Sequence, residues 1–456
     1  MLAHGRWFLF VPEPSILIAM TDSFEAVQMQ VLTLLQQVLE RFGDGKAFAS
    51  GETAVFADIL DSMAMVEFVG LLADSCGVSS TRIEACVDRK FTTVADLARS
   101  LAASGLIPNG KPAREASSRA WRAAGTKRNE PSGASTVWLT GTSVRLPQAI
   151  ETAASIDARL ERPYGWLERH AGIRQRCVWS DEDPFDAIAT AVRSCLEQTG
   201  ARMKDIGGLV VTSEAPPILI GLAAAVHGRL GLPSSAVALE IGGACTGFLA
   251  ALWLTQSLIA RMDMVLVVAI EAASRYLKVE PGEAGEAASL FGDGVAAALL
   301  TGGPVDRRSI RVTDVLLGRD GSVGGVLKVE RAPSGGVEIR MKRIELAGRA
   351  IDAMAQSALE MAGRHQLAAT DLAAVVAHGG NGRMPALLAR RLGIPPERIW
   401  STTATTGNLG SASVPVAWAT HFSTLSAPTI WTAAGGGLTW GAALLESPSQ
   451  GVEASK

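Results

Sequence analysis

The 456-residue sequence predicts two folded units of different class: a small all-α bundle over residues 20–104 and a larger α/β domain over 135–448. Three observations predict this. Apolar residues recur at helical spacing before residue 104. Strand-like and helical runs alternate after residue 135. Between them, residues 105–134 are rich in Pro, Gly, Ser and basic residues with no sustained apolar period, the composition of a flexible linker. Charge divides at the same points: residues 20–104 hold twelve acidic and six basic side chains, and the linker two and six.

Residues 1–19 read as a loosely attached tail, because the apolar run Trp7–Val11 is cut short by Pro12, Glu13 and Pro14 and no signal-peptide cleavage pattern follows. Helices are expected at Phe24–Phe42, where Val27, Val31, Leu34, Leu35 and Val38 share a face, then at Ser62–Cys76 and Val94–Leu101. In the α/β domain, strands are expected at 206–211, 236–241, 264–270, 372–377 and 428–433. Helices are expected at 185–198, 246–260, 344–362 and 384–392. The two halves, about 135–305 and 306–448, repeat a similar succession, so an internal duplication is expected. Residues 449–456 form a second tail.

Composition excludes several functions. A net charge of −3 gives no general attraction to nucleic acid or an anionic membrane. Residues 400–445 carry no Asp, Glu, Lys or Arg, but Gly, Pro, Ser and Thr interrupt them too often for a membrane span, so they read as a buried centre. Five widely spaced cysteines without a CxxC pair argue against a disulfide framework or structural zinc site, and a reducing cytoplasm fits best. No metal is expected.

Cys245, in Gly242-Gly243-Ala244-Cys245-Thr246-Gly247-Phe248, falls between a strand and a helix. Backbone N–H groups and the helix dipole at such a position favour a thiolate, so a lowered thiol pKa is expected. His378 ends an apolar strand and Asn408 sits in a Gly-rich turn before a helix. Together with Cys245 they fit a Cys, His and amide constellation assembled from separate loops. Asp61-Ser62-Met63 opens the second helix of the first unit, where Asp61 or Ser62 is also a suitable cap.

The motifs around Cys245, Phe291-Gly292-Asp293-Gly294, His378, Asn408-Leu409-Gly410-Ser411-Ala412-Ser413 and Gly435-Gly436-Gly437-Leu438-Thr439-Trp440-Gly441 resemble β-ketoacyl-acyl-carrier-protein synthase III, of the thiolase superfamily. The resemblance covers residues 135–448. It implies a layered αβαβα thiolase-like fold with duplicated βαβαβαββ halves, a homodimer, and decarboxylative condensation of an acyl group on Cys245 with a malonyl-type thioester. His378 and Asn408 would donate hydrogen bonds to the enolate oxygen, and the N–H groups of Cys245 and Gly436 would form the oxyanion hole.

Trp166, Asn381 and Arg383 match positions that meet substrate or carrier, and Leu219 and Ile220 lie near the family's pocket entrance. His170 stands where the family's phosphate-binding Arg would be, which weakens the case for a coenzyme A primer against an acyl-carrier one. Residues 20–104 resemble an acyl carrier protein, a four-helix bundle, with Ser62 in the place that receives 4′-phosphopantetheine. The linker of about 30 residues, spanning about 30 Å, would hold this carrier at roughly millimolar effective concentration. Two other readings fit the sequence: an acyltransferase moving a carrier-bound acyl group to a hydroxyl or amine, and an inactive partner subunit that presents a carrier arm.

Overall fold

The structure, a computed structural model, describes residues 24–42, 62–78, 82–83, 93–106, 136–218, 220–331, 337–422 and 427–447. The chain divides into two compact units, residues 1–128 and 129–456, parting within the predicted linker. Both expected tails, and the linker apart from Gly105 and Leu106, lie outside the described residues.

The first unit carries helices at Phe24–Phe42, Ser62–Cys76 and Val94–Ala103, each starting where the apolar period places it. Val27, Val31, Leu35 and Val38 of the first helix are buried, and this helix packs on the other two. A capping box starts the third helix: Thr93 Oγ1 accepts from Asp96 N, and Asp96 Oδ2 accepts from Thr93 N. Arg82 and Ile83 are helical as well, and the rest of the expected four-helix bundle lies outside the described residues.

In the second unit the first half supplies β1 (Val137–Arg145), β2 (Ile150–Thr152), β3 (Gln175–Cys177), β4 (Gly208–Thr212), β5 (Val237–Glu240), β6 (Met264–Ala272) and β7 (Asp293–Thr301). The second supplies β8 (Ile310–Arg319), β9 (Leu327–Arg331), β10 (Val337–Met341), β11 (Ala374–Ala377), β12 (Ile399–Trp400), β13 (Thr429–Gly435) and β14 (Thr439–Glu446). Apart from the small ribbons β2/β3 and β9/β10, these strands form one ten-stranded sheet in the order β12-β11-β13-β14-β8-β1-β7-β6-β4-β5.

The duplication is explicit in that order. Each half runs third, second, fourth, fifth, first, and the halves join where β1 meets β8 antiparallel, Val137 opposite Val312 and Leu139 opposite Ile310. The helix Gly247–Leu258 packs against β4 and β6 of one half and β8 and β14 of the other, and Ser413–His421 likewise bridges the halves. Both are therefore apolar on nearly every side, and Phe248, Leu249, Leu252, Val416 and Trp418 share one core with residues of both half-sheets. Removing the Phe248 ring from this layer would cost about 3–5 kcal/mol. The helices Pro184–Glu197 and Leu222–Leu230 cover the far face of the first half, and Arg343–Arg364 packs on β13 and β14 of the second. The layers are αβαβα.

Parallel strands are buried on both faces and deliver their carboxyl ends to one side, where sites form in such sheets. Glu214 follows β4, Cys245 follows β5, Glu271 lies near the end of β6, His378 follows β11 and Gly435 closes β13.

Candidate active site

After β5 the chain turns through Ile241-Gly242-Gly243 into a short 3-10 turn, Ala244–Thr246, and then the central helix. Ala244 has φ +49, a left-handed conformation that a residue with a Cβ adopts only where surrounding packing fixes it. That packing is visible: a Cβ on Gly435 would lie 2.8 Å from Cys245 N, and one on Gly247 would collide with Thr212 Oγ1. Cys245 is thereby held between the ends of two half-sheets, only 6% exposed.

His378 N donates to Thr432 O, which fixes the residue at the end of β11. Its Nε2 lies 3.1 Å from Asn408 Oδ1, and its Nδ1 has no hydrogen-bond partner. Burial pushes the imidazole down to about 4, so it is neutral near pH 7, and with Asn408 Oδ1 as acceptor the proton belongs on Nε2. Asn408 Oδ1 also accepts from Gly410 N at 2.9 Å, which leaves the amide N–H₂ as its remaining donors.

The Phe291-Gly292-Asp293-Gly294 motif holds this loop. Asn408 N donates to Leu290 O and Gly292 N donates to Asn408 O. A Cβ on Gly292 would strike Thr406 O, so only glycine permits the approach. Asp293 is fully buried and accepts from Trp179 N and Ser274 N, and Arg176 Nη1 donates to the carbonyls of Ala288 and Phe291.

Two carboxylates that sequence reading missed complete the site. Cys245 Sγ donates to Glu214 Oε2 at 3.2 Å. Among the described residues this is the side-chain partner of the sulfur; neither His378 nor Asn408 bonds to it. Glu271 accepts from the N–H groups of Glu214, Ala215 and Ser411 and from Ser411 Oγ. Burial, then Glu214, pushes Glu271 up to about 8, and burial raises Glu214 as well. The signal in the sequence was a Glu in the otherwise apolar run Met264–Ala272 and another just after the run ending at Thr212, both costly unless paired or used.

The expectation of a lowered thiol pKa is corrected here. Burial, then the Glu214 carboxylate and more weakly Glu271, raise Cys245 well above the usual thiol value. The short turn that carries the sulfur does not offset two buried carboxylates, so the resting group is a thiol hydrogen-bonded to Glu214.

A cavity of about 210 Å³ adjoins the site. Glu214, Glu271, Asn408 and Gly410 line its polar end; Ala273, Tyr276, Leu277, Phe291, Leu327 and Ile339 line much of the rest. The wall is overwhelmingly apolar, suited to an acyl chain. Cys245 is thus linked through Glu214, and His378 through Asn408, to one cavity.

The remaining expected positions divide. Trp166 stacks on His170 with ring centroids 4.9 Å apart, and Arg162 lies over the same indole. Asn381 Oδ1 accepts from Arg383 N, starting the helix Met384–Leu392, and Gly382 N donates to Ala171 O, so this loop is pinned to the end of the Trp166 helix. Gly436 directly follows Gly435 and packs on Leu327.

Ile220 is 89% exposed on the loop before Gly221, whose φ of +73 starts the next helix, and stands outside the lining of the 210 Å³ cavity. Leu219 lies outside the described residues. Ser62 is the first residue of its helix, while Asp61 lies outside the described residues. Among the described residues no group of three His, Cys, Asp or Glu side chains is disposed to hold a metal, and no helix is long and apolar enough to cross a membrane.

A duplicated, five-layered α/β fold with a cysteine at the start of its central helix and a histidine and asparagine from the second half defines a thiolase-like condensing enzyme, a transferase of acyl groups. Residues 239–321 match the 3-oxoacyl-[acyl-carrier-protein] synthase III family and residues 363–447 its C-terminal family. The chain belongs to the β-ketoacyl-[acyl-carrier-protein] synthase III family. The member from Rhizorhabdus wittichii is 31% identical over 316 residues, 67% of this chain and 97% of that protein. Synthase III 2 of Streptomyces coelicolor is 30% identical over 313 residues, 67% and 92% of the two chains. Among solved structures, the synthase III of Pseudomonas aeruginosa is 27% identical with a TM-score of 0.62, covering 69% of this chain and 99% of that one. The priming β-ketosynthase of the R1128 polyketide pathway is 26% identical with a TM-score of 0.61, covering 68% and 97%.

Proposed function

We propose that the chain catalyses a decarboxylative Claisen condensation, in which Cys245 takes an acyl group from a thioester and a malonyl-type thioester then loses CO₂ and attacks it. The observation that carries this reading is the uncharged pair His378 and Asn408, hydrogen-bonded to each other, of which Asn408 lines an apolar cavity that also meets the Cys245 partner Glu214. Loss of CO₂ leaves negative charge on the thioester oxygen, which calls for hydrogen-bond donors rather than a strong base. Both groups stay uncharged across the working pH range: the Asn408 amide N–H₂ would donate to that oxygen, and His378 Nε2–H, which holds Asn408 Oδ1 in the resting site, would turn to share its donation with it; one well-aimed donor is worth about 3–4 kcal/mol in the transition state. The enolate carbon then attacks the acyl carbonyl on Cys245, forming the C–C bond and releasing the thiol. The N–H groups of Cys245 and Gly436 would hold the oxyanion; the close packing of Gly435 on Cys245 favours this.

The same reading assigns the first unit. Ser62, at the start of a helix, would bear 4′-phosphopantetheine, whose thiol would present acyl or malonyl groups as thioesters. Trp166, Asn381 and Arg383, drawn together by the Gly382-to-Ala171 bond, would meet the incoming carrier arm. Donors would be acyl-carrier or coenzyme A thioesters. Ile220, an apolar side chain exposed on a loop, suits burial against a second copy in a homodimer; a monomer by light scattering would refute that part. The relatives named above, three β-ketoacyl-acyl-carrier-protein synthases III and a polyketide priming ketosynthase, support a role in initiating or extending a fatty-acid-like or polyketide chain, which the cysteine pattern would place in the cytoplasm.

The test is peptide mass spectrometry after incubation with a panel of acyl thioesters. The reading expects a mass shift on the Cys245 peptide that disappears in Cys245→Ala. No acylation by any donor would favour an inactive partner subunit, and acylation followed by transfer to an alcohol or amine without CO₂ release would favour the heteroatom acyltransferase.

A further inference from the structure

The reaction as usually drawn asks Cys245 to attack as a thiolate, yet the site holds it as a thiol. His378 Nε2 is committed to Asn408 Oδ1, and a carboxamide takes no proton. The acceptor that touches Sγ is the Glu214 carboxylate, at 3.2 Å. We propose that Glu214 is the general base of the acyl-loading step, taking the Cys245 thiol proton as Sγ attacks the donor thioester. The proposal rests on the reading that Cys245 is the acyl carrier of the condensation.

The site is shaped around this carboxylate. Glu214 N donates to both oxygens of Glu271, so the loop after β4 is held by the end of β6. Gly410 is the third wall: a Cβ there would come within 2.8 Å of Glu214 Oε2 and of Glu271 Oε1, and its φ of +48 already favours glycine. Burial raises Glu214, and burial and then Glu214 push Glu271 up to about 8, so the pair retains a proton to higher pH than a free carboxylate. A carboxylate already in contact with the thiol is placed to take its proton as the sulfur attacks. The titratable groups facing Glu214 are Cys245 from the turn after β5, Glu271 from β6, and Tyr276, which shares the cavity and donates its hydroxyl to Pro216 O. Among the described residues no Lys or Arg lines the cavity.

The step balances. The Sγ–H proton moves to Glu214 Oε2 as the sulfur lone pair forms a C–S bond to the thioester carbonyl. Collapse of the tetrahedral intermediate breaks the bond to the donor sulfur, which leaves as a thiolate and takes the proton from Glu214. Acyl-Cys245 and a free donor thiol result, and Glu214 returns to its starting state.

Single-turnover acylation of Cys245 tests this. The full chain and Glu214→Gln are mixed with butyryl- and octanoyl-N-acetylcysteamine thioesters at pH 6 to 10, quenched, and read by peptide mass spectrometry. In the wild type, loading rises as the carboxylate pair loses its proton and then levels off, changing less than about threefold between pH 8.5 and 10. Glu214→Gln loads roughly 100-fold more slowly at pH 8, and its rate climbs about tenfold per pH unit because thiolate must form first.

Loading by Glu214→Gln within threefold of the wild type, or faster, overturns the proposal, since the carboxylate would then merely hold the thiol protonated. A wild-type rate that keeps climbing tenfold per unit to pH 10 overturns it as well, and decides the matter even if the variant fails to fold. A wild type that takes neither acyl group defeats the condensation reading itself along with this inference.

Discussion

Asn408→Asp isolates the donor on which decarboxylation depends. Asn408 Oδ1 accepts from His378 Nε2 at 3.1 Å and from Gly410 N at 2.9 Å, and an aspartate keeps both contacts and the side-chain shape. What changes is the amide N–H₂, which becomes an oxygen facing the developing enolate oxygen. Loss of one such donor costs about 2.7–4 kcal/mol, a factor of 10² to 10³ in rate. Asn408 is only 6% exposed, so the new carboxylate also draws a proton onto His378, raising it from about 4. An imidazolium there restores part of the lost charge stabilisation and pulls the expected loss toward the lower figure. The assay is CO₂ release from malonyl-N-acetylcysteamine thioester at pH 6.5 and 7.5, with Cys245 loading measured separately. A roughly 100-fold fall in CO₂ release is expected; release within threefold of the wild type would falsify the donor argument.

His378 gives a stability signature. Its folded pKa of about 4 lies below the ordinary 6.5, so its contribution is complete above pH 6.5 and is lost as pH falls from there toward 4, by about 3 kcal/mol. Chemical denaturation at pH 7 and 4.5 should show the wild type losing about 2–3 kcal/mol more than His378→Asn, and equal losses would contradict this. Glu271→Ala strands the N–H groups of Glu214, Ala215 and Ser411, a loss of about 3 kcal/mol or more that thermal melting should register as a clear drop in Tm. Ala273→Leu fills part of the 210 Å³ cavity and should shift preference toward shorter acyl donors by about tenfold or more, read as the ratio of octanoyl to butyryl loading; an unchanged ratio would show that acyl chains lie elsewhere.

Legibility in the sequence followed burial. Strands such as β6, Met264–Ala272, announce themselves through β-branched runs, and the helix Met384–Leu392 has both ends where its period places them. In contrast β7, Asp293–Thr301, is a run of alanines and leucines buried on both faces, and β14 resembles it, so neither shows alternation. The helix Ser413–His421 is buried between half-sheets and has no polar face to mark its period. Cys245, His378 and Asn408 were legible because each sits in a glycine-rich turn, the first two at strand ends and Asn408 ahead of a helix. Glu214 was not, because a Glu after a strand has no local mark; only β4, β5 and β6 lying side by side bring it to the sulfur. The same contact reverses the expected direction of the thiol pKa, which a helix-start argument alone could not foresee.

Stoichiometry of the overall reaction tests the account most directly. With an octanoyl donor and a malonyl thioester carrying ¹³C in its free carboxyl, the wild type should release one labelled CO₂ for each new C–C bond, and Cys245→Ala should form no such bond. A β-keto product that keeps the label, or its formation by Cys245→Ala, would contradict the account.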